Sequence, residues 1–136
     1  MQWTRSRIWT AALIGTAIYF SAALWLKYSE PNLVGVSGHK LRLYGNFVRH
    51  GFGFAFVANP KQLGDLWDSM DFPQRSPVML YEDDRLLGPS HSDHIDIEKF
   101  GHGRFSHWEN IGIVFSSSDN TDPNSNGRAY WAVIPK

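Results

Sequence analysis

The sequence predicts one N-terminal transmembrane helix followed by a small, mainly β domain. We expect that domain to be an antiparallel, sandwich-like fold with at most one short helix. Residues 8–26 form an uncharged run of 19 residues, whose helical length would approach the ~30 Å hydrocarbon core of a bilayer. The remaining chain contains short runs of β-branched and aromatic residues, with turn formers about every 8–12 residues, a spacing typical of all-β domains.

Basic residues flank the uncharged run. Arg5 and Arg7 precede it and Lys27 follows it, so the positive-inside rule places the N-terminus in the cytoplasm. We therefore expect a bacterial inner-membrane protein. Its segments would be a cytoplasmic N-terminus (1–7), a membrane helix (8–26), a linker (27–39) and a periplasmic β domain (40–136). The alternative is a signal peptide cleaved after Ser21-Ala22-Ala23, but the apolar run continues beyond that point.

One face of the predicted helix is rich in small residues. On a helical wheel, Ala11, Gly15 and Ala22 fall within one arc, with Tyr19 in its middle. Small residues four apart allow another helix to approach closely. These four residues are therefore the predicted helix-docking face, although alanine and glycine are also simply common in membrane helices.

The soluble part reads as a series of short strands. The 10-residue stretch 61–70 is the one soluble segment with helical spacing of its apolar residues, and Gly64 weakens it. The clearest hairpin places a polar turn at residues 82–85. The predicted strands are residues 40–48, 54–58, 78–81, 86–87, 111–116 and 129–134.

Composition excludes several classes of function. The chain has no cysteine, which excludes disulfides and thiolate chemistry. After residue 27 it contains ten basic and 13 acidic residues, a net charge of −3 that argues against a nucleic-acid partner. About 109 residues remain for the soluble part, enough for one domain that folds without a metal.

Residues 76–130 carry a pattern that resembles a short bacterial β module. That module occurs at the ends of surface-polysaccharide and sugar-modifying proteins, and the match covers about 40% of the chain. The resemblance implies a β fold but no assigned chemistry. The matching positions are Ser76-Pro77, Leu80-Tyr81-Glu82-Asp83, Leu87-Gly88-Pro89, His91-Ser92, His94, Ile97, Gly101, Gly103-Arg104-Phe105-Ser106-His107-Trp108, Phe115-Ser116, Ser118-Asp119-Asn120, Asp122-Pro123, Asn126-Gly127-Arg128 and Tyr130.

Two groups of residues have the composition of metal sites. His91, His94, His102 and His107 lie within 17 residues, and three imidazoles can bind zinc; hydrogen bonding to loop backbones is the simpler interpretation. Residues 122–127 match the first half of a calcium loop, but Val133 stands where the bidentate glutamate belongs. We therefore predict no metal and no cofactor.

Catalysis has little support in the sequence. Residues 116–118 with His107 and Asp119 supply the residue types of a serine triad. No nucleophile elbow surrounds these serines, and serine runs beside turns are usually turns. We predict no catalytic residue and no enzymatic activity.

Carbohydrate contact is the more plausible chemistry. Aromatic rings such as Trp108 provide an apolar platform, and polar side chains nearby bind hydroxyl groups. In a small domain the same rings also serve to fill the core. The candidate ligand-binding residues are Arg104, His107, Trp108, Asp119, Asn120 and Arg128.

Two function hypotheses follow. The first is a non-enzymatic accessory or structural subunit of a larger membrane complex, photosynthetic or respiratory, with other membrane-protein subunits and lipid as partners. The second is a carbohydrate-binding module of the cell envelope with a glycan as partner. Neither hypothesis includes nucleic acid.

Overall fold

The computed structural model describes residues 3–28, residue 33 and residues 35–136. Within the first helix, it describes the side chains of residue 10 and residues 12–25. The chain divides into two units, Met1–Pro31 and Asn32–Lys136, and each unit is described by itself.

Helix α1 spans Trp3–Tyr28, so the run over residues 8–26 is helical, as is the described part of the predicted N-terminal segment 1–7. Within the described residues, however, no helix has both the length and the apolar character that crossing a bilayer requires. The predicted transmembrane helix is therefore wrong. The predicted single-pass inner-membrane localisation, with a cytoplasmic N-terminus and a periplasmic domain, is wrong with it.

The error came from treating an uncharged run as an apolar one. Gly15, Thr16 and Ser21 interrupt the described part of the helix and add little to the free energy of transfer into hydrocarbon. The Thr16 hydroxyl donates a hydrogen bond to the Ala12 carbonyl at 2.8 Å, the bond to residue i−4 that threonine commonly makes within a helix.

The predicted helix-docking residues all lie on α1. Gly15, Tyr19 and Ala22 are exposed, and the side chain of Ala11 lies outside the described residues. Contact of this face with another helix therefore stays a prediction. Of the predicted linker 27–39, residues 29–32 and 34 lie outside the described residues.

The second unit is a small, mainly β domain with two antiparallel four-stranded sheets. One sheet has the strand order β1-β8-β4-β5 and the other β2-β3-β7-β6. The elements are β1 (His39–Leu43), β2 (Val48–Arg49), β3 (Phe56–Ala58), a 3-10 turn (Lys61–Leu63), β4 (Met79–Glu82), β5 (Arg85–Leu86), α2 (His94–Lys99), β6 (Phe105–Trp108), β7 (Gly112–Phe115) and β8 (Tyr130–Ile134).

The main core lies between the two sheets. Phe115 of β7 and Tyr130 of β8 are in contact there, with ring centroids 5.1 Å apart, and Phe47 packs edge-on against both rings. The other buried members of this cluster are Leu43, Phe56, Ala58, Leu63, Val78, Leu80, Leu87, Phe105, Ile113 and Ala132. Since side chains alternate along a strand, the next residue of each central strand points to the outer face.

Both outer faces are also covered. On the first sheet, Trp131 and Val133 pack with Leu33 and Tyr81. On the second sheet, α2 covers Val114 through Ile97. Strands buried on both faces read as continuous apolar runs, which is why β7 and β8 contain no charged residue.

Most of the predicted strands are found, but the short helix lies elsewhere in the domain than predicted. The segment 61–70 forms only the 3-10 turn, because Gly64 follows it with a φ of +69° and ends the turn. The short helix of the domain is instead α2, at His94–Lys99. Strands β2 and β6 were not predicted.

We predict that Phe115→Ala lowers the free energy of unfolding by about 3–5 kcal/mol, because it leaves a cavity between the sheets where Phe115 is fully buried. Chemical denaturation of the full chain measures this change. Phe52→Ala is the matched control, since Phe52 is 94% exposed. A loss for Phe115→Ala no larger than that of the control would contradict this packing.

Candidate functional site

Two buried carboxylates organise the polar groups of the β domain. Glu82, at the end of β4, and Asp68, in the segment before β4, are both buried. A buried carboxylate needs hydrogen-bond or ion-pair partners to offset its lost hydration. The partners of these two residues therefore define the two polar clusters of the fold.

The Glu82 cluster is satisfied internally. Glu82 Oε1 accepts hydrogen bonds from the Ser118 backbone N–H at 3.2 Å, the Tyr130 hydroxyl at 2.8 Å and the Arg128 guanidinium at 3.2 Å. The Ser118 hydroxyl donates to Oε2. Burial alone raises the pKa of Glu82, but these hydrogen bonds together lower it below its usual value. The carboxylate therefore holds the loop after β7 against β8.

Arg128 extends this cluster to Asp119. The guanidinium donates two hydrogen bonds to the Asp119 carboxylate, at 2.8 and 2.6 Å, a bidentate arrangement. The hydrogen bonds from Arg128, together with those from Thr121, hold the pKa of Asp119 well below its ordinary value. Both charges are thus committed to each other in the described structure.

The Asp68 cluster lies beside the edge strand β6. The Asp68 backbone N–H donates to the His107 carbonyl at 2.7 Å, and its carbonyl accepts from Glu109 N–H at 2.9 Å. These two bonds place the Asp68 side chain, which is fully buried. Its Oδ1 accepts the Ser76 backbone N–H at 2.9 Å, and its Oδ2 lies 2.7 Å from His91 Nδ1.

His91 is held by its backbone as well as by Asp68. The next residue, Ser92, donates its backbone N–H to the Phe105 carbonyl at 3.1 Å, which ties this loop to β6. His91 itself has a φ of +55°, in the left-handed region that non-glycine residues occupy uncommonly. Its Nδ1 faces Asp68, and the side chain is 23% exposed, so part of the imidazole reaches the surface.

A cleft of about 590 Å³ opens in front of His91. Its walls are the loop before α2, the first turn of α2, the segment 70–73 and the end of β6. Its volume lies within the range typical of small-molecule sites. The lining residues are Met70, Pro73, His91, Ser92, Asp93, His94, Ile95, Asp96, Trp108 and Ile111.

Histidine and tryptophan rings meet at the inner end of the cleft. The His94 ring stands edge-on to Trp108, with centroids 5.7 Å apart, and edge-on to His50 at 5.1 Å. Burial, helped by the nearby His50, lowers the pKa of His94, so its imidazole is neutral at pH 7. Its Nε2 is buried and has no hydrogen-bond partner among the described residues.

The six predicted ligand-binding residues do not meet at one site in the structure. Trp108 lines the cleft, and His107 lies behind it, buried, with Nδ1 3.0 Å from the Ser76 hydroxyl. Arg104 donates to the Gly101 carbonyl at 2.9 Å, and Asn120 donates to the Phe100 carbonyl at 3.2 Å. Asp119 and Arg128 form the ion pair described above.

The residues considered for a metal site or a serine triad do not come together in the described structure either. Among the described residues, no group of three His, Asp or Glu side chains is arranged to hold a metal ion. His107 contacts Ser76 rather than the 116–118 run. In the polar loop, Asp122 Oδ1 accepts the Asn124 backbone N–H at 2.9 Å, which is a side-chain-capped turn.

Asp68 was not identified from the sequence, and His91 was considered only as one of four histidines. The Asp68–His91 contact joins residues 23 positions apart, with strands β4 and β5 between them. A serine, an aspartate and a histidine with no fixed spacing between them do not form a recognisable sequence motif. The sequence did contain one clue, because the helical pattern over residues 61–70 fails at Gly64, just before Asp68.

We predict that the chain loses stability as the pH falls from about 7 to 5.5. Burial lowers the pKa of both His94 and His107 below the usual value near 6.5. The unfolded chain then binds protons that the folded chain does not, so stability present above pH 6.5 is lost below it. Thermal melting across this pH range measures the effect.

His107→Asn should make the melting temperature of the folded chain less dependent on pH over the same range. His39→Asn is the control, because His39 is exposed. If both variants retain the wild-type dependence on pH, burial of His107 does not contribute to it.

The chain matches no protein-family model, no curated protein and no solved structure. The resemblance of residues 76–130 to a bacterial β module therefore stays a prediction. The geometry of the cleft is the observation from which a function has to be inferred.

Proposed function

We propose that the β domain binds a neutral saccharide in the cleft and is a recognition domain without catalytic activity. The observation that carries this proposal is the position of Trp108, which lines an open cleft beside fixed polar side chains. Aromatic rings offer an apolar face to the C–H groups of a sugar, while polar neighbours bind its hydroxyls.

The apolar part of the cleft suits a small ligand. Met70, Ile95 and Ile111 surround Trp108, and Met70 and Ile95 are 88% and 60% exposed. Large apolar side chains exposed together often mark a binding site. Covering them with the face of a sugar ring would remove apolar surface from water.

The polar part of the cleft favours a ligand without negative charge. Asp93 and Asp96 contribute carboxylates, and no lysine or arginine is among the described residues that line it. Acidic saccharides would be repelled by these carboxylates. Neutral hydroxyls, in contrast, donate hydrogen bonds to them.

A binding role without catalysis agrees with the hydroxyl chemistry of the cleft. Ser92 supplies the one hydroxyl group among the described lining residues. That hydroxyl donates to the Pro89 carbonyl at 2.8 Å, so it is not paired with a general base as an activated nucleophile would be.

We predict that the full chain binds neutral oligosaccharides on a glycan array and that cleft variants weaken this binding. Trp108→Ala should reduce affinity roughly tenfold or more, since aromatic anchors dominate such contacts. Met70→Ala should reduce it severalfold without affecting the fold, because Met70 is largely exposed. Titration calorimetry measures both affinities.

Phe52→Ala is the matched control, because Phe52 is an exposed apolar residue that does not line the cleft. Thermal melting of each variant distinguishes lost binding from lost folding. Absence of binding to any neutral glycan would contradict the proposal. Equal affinity of wild type and both cleft variants would contradict it too.

A second candidate function is assembly with another protein through α1. Leu13, Ile14, Ile18 and Phe20 are between 55% and 71% exposed. Apolar side chains exposed together on one helix mark a surface for a partner, here an apolar helix of another subunit. This candidate retains the predicted accessory-subunit role without its membrane setting.

We predict that the chain isolated from native cells runs as a complex of defined stoichiometry, measured by native mass spectrometry. The double variant Ile14→Glu, Ile18→Glu should dissociate it, because charge opposes burial of this surface. Ala12→Glu is the control, because Ala12 is exposed on α1 and lies on the side of the helix away from Ile14 and Ile18. Recovery of the wild-type chain as a free monomer would exclude this function.

A further inference from the structure

We infer that His91 is a hydrogen-bond acceptor of fixed direction, which uses Nε2 to select a ligand that donates a hydroxyl. The inference rests on the proposed function, since it specifies how the same cleft recognises its saccharide. The geometry that carries it is the pairing of His91 with the fully buried Asp68 at the back of the cleft.

Asp68 determines which imidazole nitrogen carries the proton. The distance from its Oδ2 to His91 Nδ1 is 2.7 Å, a short charge-assisted hydrogen bond. Imidazole is a stronger base than carboxylate, so the proton between them resides on Nδ1. Oδ1 already accepts the Ser76 N–H at 2.9 Å, and this second bond prevents the carboxylate from turning.

The opposite nitrogen of His91 is then free to accept. A neutral imidazole protonated on Nδ1 has its lone pair on Nε2. Within the described residues, Nε2 of His91 makes no hydrogen bond, and His91 lines the cleft with its side chain 23% exposed. His91 therefore presents a hydrogen-bond acceptor to the cleft, and its bond to Asp68 determines that Nε2 is the accepting nitrogen.

Two unfavourable features converge on this one side chain. A carboxylate loses its hydration on burial and is costly to place in a protein interior, and Asp68 is fully buried. His91 also has a φ of +55°, which L-residues adopt at a cost. Such features persist where the surrounding structure imposes them and are concentrated at functional sites.

The chemical consequence is selection by hydrogen-bond direction. Nε2 binds a sugar hydroxyl, which can donate. It does not bind the ether oxygen of a methylated position or a fluorine, neither of which can donate. Asp93 and Asp96, also in the cleft, are acceptors as well. We therefore expect the ligand to be a saccharide with free hydroxyls facing His91.

The first test needs no ligand. Nitrogen-15 NMR of the full chain at about pH 8 should show His91 protonated on Nδ1 and unprotonated on Nε2. In Asp68→Asn the new amide nitrogen donates to Nδ1, so the proton should move to Nε2. Detection of the Nε2-protonated form in the wild-type chain would overturn the inference.

The second test measures selectivity. Methyl glycosides of glucose, galactose and mannose, with their monodeoxyfluoro and mono-O-methyl analogues, are titrated into the chain. For the glycoside that binds, one analogue should lose roughly tenfold in affinity, the effect of one hydrogen bond. Asp68→Asn should remove the discrimination against that analogue.

Two further variants keep the test decisive if Asp68→Asn does not fold. His91→Asn retains a donor near Nδ1 but lacks Nε2, so it should bind the parent glycoside roughly tenfold more weakly. Ser92→Ala, the neighbouring cleft residue, is the control. Wild-type affinity in His91→Asn would overturn the inference, whereas the saccharide-binding function would stand if Trp108→Ala still reduced affinity roughly tenfold or more.

Discussion

The contact between Phe115 and Tyr130 is the interaction on which the β domain depends. The two rings join the central strands β7 and β8 of opposite sheets, with centroids 5.1 Å apart. The hydroxyl of the same tyrosine donates a hydrogen bond to the Glu82 carboxylate at 2.8 Å. Burial of the hydroxyl, together with this hydrogen bond, raises the pKa of Tyr130 above its usual value. One side chain thus links the apolar core to the polar loop.

The two buried carboxylates, Glu82 and Asp68, differ in where their hydrogen-bond partners lie. The bonds of Glu82 connect Ser118, Tyr130 and Arg128 to one another, and Glu82 itself is buried. The bonds of Asp68 lead outward through His91 to the cleft. A closed network stabilises a loop, whereas an open one fixes a group for a ligand. This difference separates a structural cluster from a candidate site in a domain where both look alike in composition.

Local patterns in the sequence predicted the central strands well. The apolar runs at 111–116 and 129–134 correspond to β7 and β8, because strands covered on both faces must be apolar throughout. Strand β6 was missed since Ser106 and His107 are polar residues buried by tertiary contacts. The membrane helix was predicted wrongly because absence of charge is not the same property as hydrophobicity.

The candidate site was less predictable than the fold. Trp108 was identified from its residue type, and it does line the cleft. Arg104, Asn120 and Arg128 were grouped with it as polar side chains able to bind hydroxyls, yet each is bonded to a nearby backbone or acidic group. Proximity along the chain does not place side chains on one surface, whereas strand pairing does. Asp68 pairs with Trp108 of β6 in an isolated β-bridge. This contact is long-range, and no local sequence pattern predicts it.

The walls of the cleft come from parts of the chain that contribute little to the core. Met70 and Ile95 are largely exposed, and they lie on a loop and on the outer side of a six-residue helix. Replacement of these residues leaves the packing between the sheets intact. The domain thus separates the residues that maintain its fold from those that, in the proposed function, contact the ligand. Diversification of the walls alone would yield a family of binders with different preferences on a constant scaffold.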